Sequence, residues 1–179
     1  LVAPEFGTGG QVVYQGQNVN TRITGVTPEY AEVRRYEVAN GEFISASHVS
    51  GRSLVAVLGS ATAQTLFGDE EPVGQNIRIN NVTFRVIGVL ASKGGTGFGS
   101  QDEVVLVPQT TVQTRLMRGF FRGAARVSLI SVQVAEERLI DQAIAEISQL
   151  LRERHRILFE DDFQVSSQAD MLSVANQIT

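Results

Sequence analysis

Leu54-Val55-Ala56-Val57-Leu58 is a continuous apolar run of strand length with no polar residue at any alternate position. A half-buried strand alternates, whereas an unbroken run suits a strand covered on both faces. A chain that contains one must place packed material on both sides of a sheet. Gly59-Ser60 then opens a predicted helix over 61–67, with Ser60 as the expected N-cap and Gly68 as the stop. Pro72-Val73-Gly74 turns the chain. Segments 77–79 and 82–86 flank Asn80-Asn81, and two asparagines tolerate positive φ, which predicts a hairpin with a two-residue loop.

The other segments extend this pattern. Gly7-Thr8-Gly9-Gly10 reads as a flexible turn, and Val13, Tyr14, Val19 and Ile23 as a hairpin around Gly16. Pro28 opens a short helical turn through Tyr30, Val33 and Tyr36, followed by a loop at 41–44. Residues 94–99 are glycine-rich, 104–107 return to strand before Pro108, and 110–117 suit a short helix. A strand over 129–134 precedes the longest amphipathic pattern, 136–156. Its stripe is Leu139, Ile140, Ala143, Ile144, Ile147, Leu150 and Leu151. Acidic Glu136 and Glu137 open it and Arg152, Arg154 and Arg156 close it, matching the helix dipole. A short strand at 163–165 and an amphipathic helix over 168–178 complete the reading. Strands and a turn, then a β-rich middle with one helix, then β-α-β-α, is an α+β order. Glycine clusters near both ends of 41–124 mark that middle as an insertion in a flanking domain.

Composition narrows the function classes. Fifteen basic against nineteen acidic residues leave a net charge of −4, and no basic stripe is visible, so nucleic acid is not an expected partner. The longest apolar run, Val86 to Ala91, is about six residues, against the ~18 that a membrane span requires. Cysteine is absent, which removes thiol chemistry, iron–sulfur clusters and cysteine zinc sites. Lys93 is the only lysine, a bias that genomic base composition explains. Both ends of the chain read as boundaries cut from a longer protein.

The remaining motifs fall short of catalysis. Val57-Leu58-Gly59-Ser60-Ala61 lies between strand and helix, as a nucleophile elbow would, but the flanking glycines are missing and a helix cap explains Ser60 better. The glycine loop 94–99 fails the dinucleotide fingerprint at Ser100 and precedes a strand rather than a helix. His48 and His155 lie far apart, and the runs Asp69-Glu70-Glu71 and Glu160-Asp161-Asp162 lack the alternation of a calcium loop. No catalytic residue, cofactor or metal is expected in this stretch; the residues alone point to an interaction module.

A set of strings in fixed order carries more. Gly25-Val26-Thr27-Pro28 with Tyr30, Gly41 with Phe43, Ser53 to Gly59, Leu66-Phe67-Gly68, Pro72 to Ile79, Phe84 to Leu90, Gln101-Asp102 and Val104 to Pro108 together resemble the periplasmic core domain of MacB-type ABC transporter permeases. The resemblance implies an α+β fold, with a porter-like domain formed by 1–40 and 125–179 and a β-rich sabre-like insertion at 41–124. A longer segment with a helix, usual in the family ahead of the position of Leu1, is missing from the porter part. The implied place is the periplasmic side of the bacterial cytoplasmic membrane, anchored by transmembrane helices outside this sequence. The implied role is to couple cytoplasmic ATP hydrolysis to periplasmic movement. The implied partners are a periplasmic adaptor (membrane fusion) protein, a second permease copy and, indirectly, an outer-membrane exit duct. No motif assigns the adaptor contact, so the candidates are Gly95, Gly97, Phe98 and Gln101 in the glycine loop, and Phe120 and Phe121, which suit a core equally well. The alternative reading is a periplasmic small-molecule or lipid/lipoprotein-binding domain with a cleft between glycine-flanked hairpins.

Overall fold

The computed structural model of the chain describes residues 1–94, 101–116, 127–157, 159–167 and 170. The chain forms two compact units, Leu1–Val132 and Gln133–Thr179. The first holds strands β1 (Val2–Tyr14), β2 (Gln17–Val26), β3 (Val38–Gly41), β4 (Val55–Leu58), β5 (Asn76–Ile79), β6 (Val82–Leu90), β7 (Val104–Pro108) and β8 (Leu129–Val132). Its helices are α1 (Tyr30–Val33), α2 (Ala46–Ser50), α3 (Ser60–Phe67) and α4 (Gln109–Thr111), the last running into a π-turn, Val112–Leu116.

The pairings close on themselves. β1 joins β2, β2 joins β7, β7 joins β4, β4 joins β6, β6 joins β5, and β5 returns to β1 at Val12↔Ile79 and Val13↔Arg78. β2–β7 and β4–β6 are parallel and the other contacts of the ring antiparallel. Closure removes the free edges that an open sheet presents. Both tight hairpins use the expected chemistry. Gln15 and Gly16 have φ of 43° and 91°, and Asn80 and Asn81 have φ of 45° and 69°. That positive-φ pair matches the twist of the strands on either side.

β4 is covered on both faces, as its unbroken apolar run requires. Ala56 and Leu58 join Val12, Ile23, Phe84, Val86, Val105 and Val107 in one core, capped by Ala63, Leu66 and Phe67 of α3. Val57 points the other way and joins Tyr30, Tyr36, Ile44, Ile87, Leu90 and Leu106 in a second. The switch between cores follows the two-residue period of the strands. It is offset on β6, where the register against β4 shifts after Ala56↔Val86.

Three expectations are corrected. Residues 7–10 lie inside the straight run of β1 and do not turn. A Cβ on Gly10 would stand 2.3 Å from Ile23 Cδ1, so this glycine permits close packing across the hairpin. Ser60 is not the N-cap of α3: Gly59 is, and a Cβ there would stand 2.3 Å from the Asp102 carbonyl oxygen. That carbonyl accepts from Ala61 N–H at 3.2 Å and Thr62 N–H at 3.4 Å, so a distant backbone oxygen does the capping. Residues 163–165 form no strand; three residues without a paired partner cannot hold one.

The second unit carries a 3₁₀ turn, Glu137–Leu139, and α5 (Ile140–His155), which ends at Arg156 in the left-handed conformation. Ile140, Ala143, Ile144, Ile147 and Leu151 are half-buried and Leu150 is exposed. Beyond α5, Asp161 accepts two bonds from the Arg152 guanidinium at 2.8 and 2.7 Å, and His155 Nδ1 lies 2.8 Å from Asp162. Apart from Asp170, the expected helix 168–178 lies outside the described residues.

Candidate functional site

Of the residues singled out in the sequence, Gly95, Gly97, Phe98, Phe120 and Phe121 lie outside the described residues. Gln101 is described, and it stands in the most densely bonded polar group of the first unit. This group forms where β6 ends and β7 begins, so that residues 92–94 and 101–102 are brought side by side.

Asp102 is its centre. Its carboxylate accepts from Ser92 Oγ at 2.7 Å, Lys93 N–H at 2.8 Å and Gly94 N–H at 3.1 Å, while its carbonyl caps α3. The Lys93 N–H bond, foremost, with those from Ser92, Gly94 and Ser60, holds this carboxyl below the usual aspartate range against the opposing effect of burial. One side chain therefore ties both stems of the intervening segment to each other and to a helix start.

Lys93 braces the same stems from the other side. Its ammonium donates to the Arg34 carbonyl at 2.5 Å and to Gln101 Oε1 at 3.3 Å, and lies 4.3 Å from the centre of the Tyr36 ring. A lysine over an aromatic face gains from the ring quadrupole, and one on a helix's last carbonyls supplies a cap. Desolvation, helped by the charges of Arg34 and Arg35, pushes the Lys93 amine below its usual value. Tyr36 completes the frame by donating from its hydroxyl to the Gln101 carbonyl at 3.3 Å.

A second polar chain runs from Tyr36 into the interior. Tyr36 and Tyr30 stack with centroids 5.9 Å apart, and Tyr30 donates to Glu5 Oε2 at 3.2 Å. Glu5, buried on β1, also accepts from Ser131 Oγ on β8 at 2.6 Å. Burial and then the neighbouring Glu5 charge push the Tyr30 hydroxyl up to about 12. The chain ties β1, α1 and β8 together.

The other sequence candidates have structural uses. His48 Nδ1 accepts from Ser45 N–H at 3.2 Å while Ser45 Oγ accepts from His48 N–H at 3.3 Å, a capping box at the start of α2. Among the described residues no group of three or more His, Asp or Glu side chains is placed to hold a metal ion. Among them, too, no helix is long and apolar enough to cross a membrane. A cavity of about 250 Å³ is lined by Gln11, Val13, Arg78, Asn80 and Asn81, side chains that suit water better than an acyl chain. Sequence reasoning named Gln101 with the glycine loop but missed Asp102, Lys93 and Tyr36 as the polar frame around it. Lys93 did carry a signal, as the only lysine of the chain.

Comparison with known proteins gives one answer. A family profile described as the MacB-like periplasmic core domain matches residues 1–150. The chain is 37% identical over 175 residues to the macrolide export ATP-binding/permease protein MacB of Bdellovibrio bacteriovorus, which covers 98% of this chain and 25% of that protein. It is likewise 37% identical over 179 residues to the Rhodospirillum rubrum protein of the same name, covering 98% and 26%. The chain thus spans about a quarter of the length of the curated relatives it matches. Among solved structures, the periplasmic region of MacB from Actinobacillus actinomycetemcomitans has a TM-score of 0.80 at 22% identity, covering 99% of this chain and 76% of that one. The extracellular domain of the noncanonic ABC-type transporter YknZ from Gram-positive bacteria has a TM-score of 0.75 at 20% identity, covering 93% and 80%. At those identities the likeness establishes the mixed α and β fold.

Proposed function

Because the chain belongs to the MacB-like periplasmic core domain family, we propose that it is the non-catalytic outer domain of an ABC-type export permease, coupling cytoplasmic ATP hydrolysis to periplasmic movement and contacting an adaptor protein. The family match over residues 1–150 carries this reading. The permease would work as two copies anchored in the cytoplasmic membrane, with the adaptor leading on to an outer-membrane exit duct. No cofactor is called for in a domain that transmits motion.

Two features of the fold support a mechanical role. The closed ring of strands is stiff, and a coupler must pass displacement on rather than absorb it. The stems at 92–94 and 101–102 are cross-braced by Asp102, Lys93 and Tyr36, which suits a loop that presents a contact to a partner. The division into 1–40, 41–124 and 125–179 is part of the proposal. In its favour, β8 returns from beyond residue 124 to pair with Val2–Glu5.

The test is a photo-crosslinking amino acid placed at Gln101 in the full-length transporter, with the wild-type adaptor present. A crosslink to the adaptor from position 101, and none from Gly16 in the β1–β2 turn, is the expected result. An intact transporter that binds the adaptor without any crosslink from position 101 removes this loop from the contact.

A further inference from the structure

α1 has four residues and no side-chain cap at Glu29. A helix this short has no stability of its own, so its contacts decide where it lies. Those contacts fall at two ends. At one, Tyr30 donates to Glu5 of β1, and the other oxygen of that carboxylate accepts from Ser131 of β8. At the other, the Arg34 carbonyl accepts from the Lys93 ammonium and the Tyr36 hydroxyl donates to the Gln101 carbonyl. The Glu37 carbonyl, just beyond, accepts from Ala91 N–H at 2.8 Å. Between the ends, Tyr36 N–H donates to the Ala31 carbonyl at 2.7 Å, and the Tyr36 ring stacks on Tyr30 with 24° between their planes. Glu5, Tyr30 and Tyr36 are 7, 3 and 7% exposed, so water has little access to replace a partner that any of them loses. A buried polar group deprived of its partner shifts to find another or stays unsatisfied at a cost.

We infer that α1 is a connecting rod that couples the paired strands β1 and β8 to the stems at 92–94 and 101–102. A change in how β8 lies against β1 alters the Ser131–Glu5 bond. Glu5 then re-aims at Tyr30, and Tyr30 moves α1. α1 in turn carries the Arg34 carbonyl and the Tyr36 hydroxyl, which hold Lys93 and Gln101. Coupling between separated sites is carried by chains of packed side chains and hydrogen bonds of this kind. β8 is the last strand of the first unit, so the rod gives the chain that leaves this unit a route to Gln101. The inference goes beyond the adaptor reading: it concerns motion within the first unit and holds whether or not Gln101 meets a partner.

The experiment follows amide hydrogen exchange by NMR in the whole 179-residue chain. The reporters are Ala91 N–H and Lys93 N–H at the stem. The reference is Asn80 N–H, which donates to the Gln11 carbonyl at 3.1 Å in the β5–β6 hairpin. Ser131→Ala cuts the rod at its far end with a minimal change of shape, and Glu5→Gln cuts it at the next link. Both are expected to speed exchange at the reporters about threefold or more while the reference stays within about 1.5-fold of wild type. Tyr36→Phe, at the near end, is expected to have a larger effect. In the double variant Ser131→Ala/Tyr36→Phe the effect of Ser131→Ala is expected to vanish, because groups in one network are not additive. Tyr14→Phe removes a bond of the same kind, to Glu70, off the proposed route, and is expected to leave the ratio of reporter to reference unchanged. Reporters that exchange as in wild type in both Ser131→Ala and Glu5→Gln overturn the inference. So does a rise shared equally by Asn80, which is a loss of global stability, or a rise of the same size with Tyr14→Phe. Additive effects of Ser131→Ala and Tyr36→Phe overturn it as well, because the two ends would then act separately.

Discussion

The two parts of β1 share one strand and live in opposite surroundings. From Phe6 to Tyr14 it pairs with β2, and at Val12 and Val13 also with β5, so that Val12 is fully buried in a closed ring. From Val2 to Glu5 it pairs with β8. There Ala3 and Glu5 turn inward, while Val2, Ile130 and Val132 on the other face are 56, 45 and 40% exposed. Alternation is intact in both parts. What differs is which face is covered: in the ring Val12 and Tyr14 turn into the first core, inside the circle of strands, whereas in the ribbon Ala3 and Glu5, on the opposite face, are the buried ones, Ala3 in the second core. Which face of one strand is buried is thus decided by the ring closing on one side and other elements packing on the other, which is not a local property.

If closure is what separates the parts, the largest loss must come from the middle of the ring. Phe84 is among the largest fully buried side chains. Phe84→Ala is expected to destabilise the protein by about 3–5 kcal/mol, read as a lowered denaturant midpoint at constant slope. A cost near that of an exposed site would mean that the ring is loosely packed and the contrast with the ribbon is empty.

The glycines of β1 sharpen the contrast within a few residues. A Cβ on Gly10 meets Ile23 Cδ1 at 2.3 Å and the Asn80 side chain at 3.0 Å, whereas one on Gly9 meets nothing within 4 Å. Gly10→Ala is expected to cost about 1–3 kcal/mol by overpacking. Gly9→Ala is expected to raise stability by about 0.5 kcal/mol, because alanine loses less backbone freedom on folding. Equal effects in thermal melts would refute the claim that the ring closes tightly at Gly10 and not at Gly9.

These glycines also show what could and could not be read from the sequence. Gly7-Thr8-Gly9-Gly10 looked like a turn because glycine is both a turn residue and a residue of close approach, and only the position of Ile23 tells the two apart. Locally determined features were legible: the two-residue turn at Asn80-Asn81, the end of α3 at Gly68, and the doubly covered run at 54–58 except for Leu54, which lies outside β4 and is exposed. The features set by distant residues were not. Ser60 met every local criterion for an N-cap, yet the Asp102 carbonyl, over forty residues away, occupies that role. The frame of the candidate site was hidden for the same reason: the 92–94 and 101–102 stems could be read, but not the arrival of Tyr36 and the Arg34 carbonyl from α1.

The ribbon's covered face offers a smaller and pH-dependent test. Tyr30 reaches it through the bond to Glu5, and its hydroxyl titrates at about 12. A tyrosine whose folded value lies above the ordinary ~10 contributes stability that is fully present below about pH 10 and is lost as pH rises through the folded value. Tyr30→Phe is expected to cost about 1 kcal/mol at neutral pH, the worth of one hydrogen bond, and to flatten the decline of stability above pH 10. An unchanged alkaline limb in chemical denaturation would show that Tyr30 and Glu5 are not coupled.

The ribbon's open face should respond least. Val2 faces Val132 and Pro4 faces Ile130, so the cross-strand neighbours there are apolar but wet. Replacing Ile130 or Val132 by threonine keeps the β-branch and the backbone pairing and removes only an apolar contact that water already reaches. Each substitution is therefore expected to change stability by less than about 0.5 kcal/mol. A loss of 1 kcal/mol or more in the isolated chain would mean that this face is covered when the protein folds. The two parts of β1 would then differ in which layer covers them and not in whether they are covered, and the ring would lose its special standing as the source of burial.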